Sequence, residues 1–197
     1  LGFNADVDDT YETVWAYGGL YVFPTTGISM EVVSASIADS ITGTGAMTVS
    51  IHFLTTAGVE SEELVSMNGI TPTLTTSADI YRIQAFHVIT AGTAATALGM
   101  IDIRAVSDSP TYGRILTDTN SAVTAVWTVP AGKTLYISSW NVASASSAGT
   151  YYGEFRLRAT SWEGVRHTGM MFLHAITMVN DGSSMMDFSV PLKFPSM

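Results

Sequence analysis

Val123–Val142, VTAVWTVPAGKTLYISSWNV, reads as two strands joined by one tight turn. Val123, Ala125, Trp127 and Val129 alternate with Ala122, Thr124, Val126 and Thr128, the period of two that a strand imposes. Pro130 suits the first corner of a type I turn, because its ring holds φ near the required value. Gly132 then supplies the left-handed residue of a three-residue hairpin loop. On the return strand Leu135, Ile137 and Ser139 share one face, and Tyr136, Ser138 and Trp140 the other. The stretch predicts a β-hairpin, which sets architecture and carries no chemistry.

Outward from it, the same signature recurs. Met47, Val49, Ile51 and Phe53 oppose Thr48, Ser50 and His52, and Val59–Met67 returns the chain after the turn at Thr55–Gly58. Asn68-Gly69 marks a further turn. Ile28–Ser36, Ile80–Ile89 and Met100–Val106 read as strands, and 38–46 as a loop by composition. Thr13–Phe23 reads as two short aromatic strands about Gly18-Gly19, closed by Pro24. Tyr151–Thr160 and Val165–Val179 flank a turn at Trp162-Glu163-Gly164. The final strand alternates Met186, Phe188, Val190, Leu192 and Phe194, with Pro191 arguing for a sheet edge. No stretch sustains a 3.6-residue period. The fold class expected is all-β, an antiparallel β-sandwich or jelly roll, with room for two packed lobes.

Composition narrows the function classes. The 197 residues suffice for a sizeable core, and the absence of cysteine removes disulfides and thiolate metal sites. Only 13% of residues are charged, and Ser, Thr and Gly supply much of the exterior. Ser107–Gly113, SDSPTYG, is the strongest composition break, so the expected lobes are 1–106 and 107–197. The first carries 11 acids against 2 bases, a net −9, and the second 6 against 6. Neither offers the basic face that nucleic-acid binding requires. No apolar run approaches a membrane span, and the first residues lack the zones of a signal peptide.

Candidate sites were weighed against plainer readings. Asp6, Asp8 and Asp9 offer hard oxygen ligands but not the spacing of a calcium loop. Glu60 and Glu62 share a strand face, whereas glycoside hydrolysis needs carboxylates flanking a bond. His52, His87, His167 and His174 are scattered, so no metal site is expected. No nucleophile-elbow, zinc-protease, phosphate-loop or dinucleotide motif occurs. No catalytic residue and no cofactor are expected. Two surfaces remain candidates: an aromatic patch of Trp15, Tyr17 and Trp162, and a self-contact surface of Met170, Met171, Phe172 and Met178. The plainer reading of both is core.

In order along the chain, FNADVDDTYETVW (3–15), GGLYVFP (18–24), GTGAMTVSI (43–51), SMNGITP (66–72), YRIQAFHVITAG (81–92) and TAVWTVPAGKTLYISSW (124–140) resemble a family of tailed-phage virion structural proteins. The resemblance covers nearly the whole chain and is most specific in GTGA-x-TV and VPAGKT. Leu54-Thr55-Thr56-Ala57 departs from it, standing where similar proteins tend to carry a Gly- and Asp-bearing turn. The resemblance implies a non-enzymatic capsid-decoration or head-fibre subunit on the particle surface. Its implied partners are the major capsid protein and copies of itself, by family analogy as a trimer. The alternative is a tail-associated module that binds a host-surface glycan through its aromatics. A hydrolase with an unrecognised site is the third class, and turnover on polysaccharides would reveal it.

Overall fold

The computed structural model describes residues 1–145, 152–162 and 165–196, with backbone alone over 161–162 and 165–172. The described residues contain strands and no helix, an all-β, sandwich-like architecture. They divide into two compact units, 1–128 and 129–197.

The first unit holds β1 (Met30–Ser34), β2 (Ala46–Leu54), β3 (Glu60–Ser66), β4 (Thr73–Leu74), β5 (Arg82–Ala91), β6 (Ile101–Ala105) and β7 (Thr111–Ile115). They form two antiparallel sheets, ordered β4-β1-β6-β7 and β3-β2-β5. The β1–β2 arm lies between β3–β4 on one side and β5–β6 on the other, so every arm crosses from sheet to sheet, as in a jelly roll. The alternation read from sequence now has its cause. Val49, Ile51 and Phe53 face inward with Val32, Phe86, Ile101 and Ile103 as one buried cluster. Each such side chain, fully buried, contributes roughly 1.5–3 kcal/mol.

On the outer face of the first sheet, paired strands align opposite charges. Glu31 sits opposite Arg104, whose Nε donates to Glu31 Oε1 at 2.8 Å. Asp102 sits opposite Arg114, which grips it with two bonds of 2.6 Å. Arg104 also pairs with Asp108 in the β6–β7 turn.

The second unit holds β8 (Thr134–Ser144), β9 (Tyr152–Trp162), β10 (Val165–Val179) and β11 (Gly182–Pro195). Here β8 pairs with β11 and β9 with β10, each a two-stranded antiparallel sheet. Pro191 does lie in an edge strand, β11 pairing only with β8 among the described residues.

Three expectations are corrected. Val123–Val142 is not a hairpin. Its first arm belongs to unit one: Ala125 N donates to the Val14 carbonyl at 2.8 Å, and the Gln84 side chain bonds both N and O of Thr128. Its second arm, β8, pairs with β11 instead. The turn between them is real but displaced by one residue. Lys133 N bonds the Pro130 carbonyl at 3.0 Å, and Gly132 takes φ +72° at the third position, as a type II turn requires. Second, Ser107–Gly113 does not divide the chain, because it turns β6 into its neighbour β7; the units part between Thr128 and Val129. Third, Trp140 joins the half-buried face of Leu135 and Ile137. An irregularity in the β8–β11 register, between Asp187 and Leu192, reverses the side-chain parity there. Around Gly18-Gly19 the chain turns with positive φ at both glycines, but the flanking residues make only an isolated bridge, Trp15 with Thr124.

Candidate functional site

The loops joining strands at one end of the unit-one sandwich converge on Asp39. The loop after β1 carries it, and it is fully buried. Oδ1 accepts the amides of Ala46 at 2.7 Å and Leu98 at 2.9 Å. Oδ2 accepts the Gly99 amide at 2.8 Å and the Ser34 hydroxyl at 2.6 Å. Its own carbonyl accepts the Gly69 amide at 2.7 Å. The Asp39 carboxylate therefore ties the loops after β1 and β5 together, and its main-chain carbonyl adds the loop after β3. Four donors replace the water that a buried charge would otherwise lack. The glycines are set by this closeness: a Cβ on Gly45 would lie 2.1 Å from Asp39 Oδ1, and one on Gly99 2.5 Å from Ser36 N.

The same three loops expose aliphatic side chains: Ile37, Ile41, Ile70, Leu98 and Met100. Ile37 is 74% exposed and Ile70 58%. Backbone bonds hold their carriers side by side, Ile41 N to the Met67 carbonyl and Ala35 N to the Met100 carbonyl. Residues 35–45, 67–72 and 92–100 contain no charged side chain except Asp39. Such an end is an apolar, Ser- and Thr-rimmed surface on a braced frame, the character of a protein contact. By composition 38–46 is a loop, and nothing in its spacing singles out Asp39. Its only trace there is an acid amid small residues, GTG following.

The aromatic candidates fall differently. Trp15 is only 3% exposed, and its Nε1 donates to the Gly19 carbonyl at 3.1 Å. It is thus corrected from surface contact to packing residue, stacked edge-on with Tyr21 at 4.9 Å. Tyr17 stays 48% exposed, with the Arg114 guanidinium 4.5 Å from its ring centre. Tyr21 in turn meets Phe23, and its hydroxyl donates to the Tyr112 carbonyl at 3.0 Å. Burial pushes the Tyr21 phenol well above its ordinary range, and Tyr112 upward as well. The side chain of Trp162 lies outside the described residues. So do those of Met170, Met171 and Phe172. Met178 is buried, its sulfur 4.0 Å from Ser144 Oγ, and is corrected from contact surface to interior.

The polar candidates have structural partners. Glu62 accepts from Ser50 Oγ at 2.6 Å, with His52 Nε2 3.4 Å away, and His52 stacks on His87 at 5.1 Å. Glu63 accepts the amides of Thr76 and Ser77. Asp8 accepts the Thr10 hydroxyl and amide, which hold its carboxyl below the usual range. Among the described residues no group of three His, Asp or Glu is placed to hold a metal. A cleft of about 440 Å³ lies along β5, walled by Tyr21, Phe86, Tyr112 and Trp127, with Gln84 bonded to the Thr128 backbone beside it.

No protein-family model, curated protein or solved structure matches this chain.

Proposed function

We propose that this chain is a non-enzymatic structural subunit of a tailed-phage particle, a capsid-decoration or head-fibre component on the particle surface. It would pack against the major capsid protein and against copies of itself. The observation that carries this reading is the apolar loop end around Asp39. Five exposed apolar side chains stand on loops braced by the buried Asp39, through its carboxylate and its main-chain carbonyl, so binding there would cost little ordering entropy. The order of motifs resembling virion proteins supports the same class. Unit one carries 13 acids against 3 bases, a net −10, which suits solvent or a basic shell surface more than close contact between sister units.

The test is to image intact particles and count copies. Density for the chain on the shell, at hundreds of copies, supports the reading. A handful of copies at the tail would favour the glycan-binding alternative. Absence from purified particles overturns both.

A further inference from the structure

The cleft along β5 comes from a mismatch in chain length. The β2–β5 register slips where His52 and Phe53 pair with Ala85 and Ile83, so Gln84 is the extra residue of a bulge. Residues 122–128 are tied to β5 at two points. Ala122 N donates to the Phe86 carbonyl at 2.8 Å, and Thr128 N and O both bond the Gln84 side chain. Between those anchors stand residues 123–127 on one side and Ala85 alone on β5. The longer side arches away and leaves a cavity of about 440 Å³ beneath it. That volume falls within the range of small-molecule sites.

The groups around the cavity narrow its ligand. None of its lining residues has a charged side chain, so an ionised group entering it would lose water and meet no counter-charge. The net −10 of unit one further disfavours acidic molecules. Phe86 and Tyr112 line the cavity from the core, and Trp127 lines it with half its surface exposed. The Trp127 indole offers a flat apolar face for a ring. Polar groups are interleaved with these. The hydroxyls of Ser121 and Thr124 line the cavity and make no hydrogen bond among the described residues. Two bonds to Thr128 fix the Gln84 amide and leave one N–H and one oxygen lone pair unused. A purely apolar ligand would strip water from these groups without replacing the bonds. A sugar ring satisfies both sets, with hydroxyls that donate and accept and an apolar C–H face for the indole.

We propose that this cavity binds a neutral saccharide, its ring packed on Trp127 and its hydroxyls bonded by Ser121, Thr124 and the Gln84 amide. The site differs from the aromatic patch expected from sequence, in which Trp15 is buried and Tyr17 lies against Arg114. It does not depend on the particle reading, since a shell subunit and a tail module could carry it equally.

The experiment titrates the full chain by calorimetry with maltose, cellobiose, lactose, chitobiose and mannobiose. Sialyllactose and toluene serve as the acidic and the apolar comparison. At least one neutral disaccharide should bind, and more tightly than either comparison. Trp127→Ala should weaken that binding about tenfold or more through lost apolar contact. Thr124→Val keeps the shape of the side chain and should weaken it about two- to tenfold through the lost hydroxyl. If Trp127→Ala fails to fold, Thr124→Val decides. No binding of any neutral disaccharide at millimolar concentration overturns the proposal, as does tighter binding of sialyllactose or toluene. An affinity that Trp127→Ala leaves unchanged overturns it too, and so does one abolished by Tyr17→Ala, which would seat the saccharide on the aromatic patch.

Discussion

The amide of Gly99 donates to Oδ2 of Asp39 at 2.8 Å across 60 positions of sequence. This bond joins the loop leaving β5 to the loop leaving β1, and with them the apolar end of the sandwich. Asp39→Ala would leave the Ala46, Leu98 and Gly99 amides and the Ser34 hydroxyl without their acceptor. Each unsatisfied buried group costs about 1–3 kcal/mol, so a loss of at least 3 kcal/mol is expected. Asp39→Asn keeps one acceptor oxygen and should lose less. Urea denaturation midpoints decide, and an unchanged midpoint for Asp39→Ala would remove the latch from the account.

Two glycines should respond to alanine for different reasons. A Cβ on Gly99 would press on Ser36 N at 2.5 Å and Ser34 Oγ at 2.8 Å, and such overpacking costs about 1–3 kcal/mol. Gly132 has φ +72° and nothing within 4 Å, so Gly132→Ala should cost only the left-handed conformation, about 1 kcal/mol. Gly132→Val should cost more, in the range of about 1–3 kcal/mol. Pro130→Ala should cost less than either, acting mainly through the unfolded chain. The order of the four thermal midpoints is the check.

Removing exposed apolar surface should separate docking from stability. Ile37→Ser and Ile70→Ser alter side chains that are mostly in solvent, so each should change stability by less than about 0.5 kcal/mol. The double variant should nonetheless bind stripped particles measurably less than the parent chain in a pull-down. Equal binding would move the docking surface elsewhere.

Alkaline pH should expose the burial of Tyr21. Its folded-state phenol is held neutral by burial, above the ordinary value near 10. Stability from this group is therefore complete below pH 10 and declines as pH rises beyond it, because the unfolded chain loses the proton first. Tyr21→Phe should flatten that decline while losing about 1 kcal/mol at neutral pH with the bond to the Tyr112 carbonyl. Stability measured from pH 8 to 11 tests both, and parallel curves would contradict the assignment.

Much of this architecture follows from sequence alone. The period-two runs at Val49–Phe53 and Leu135–Ile137 mark strands because successive side chains must leave opposite faces. Gly69 and Gly132 mark turns because both have positive φ, which costs glycine least. Pro191 marks an edge because it has no N–H to donate. These signals are local, so a sequence displays them directly. What it did not display is which strand pairs with which. Val123–Thr128 and Thr134–Ser144 are close in sequence and look like partners, yet they belong to different units. Thr128 is held by Gln84, and Leu135 lies opposite Phe194. The burial of Asp39 and Trp15 and the parity of Trp140 were likewise decided by tertiary structure. A carboxylate turns inward only where distant loops bring enough amide donors to meet it, and no spacing along the chain records that meeting.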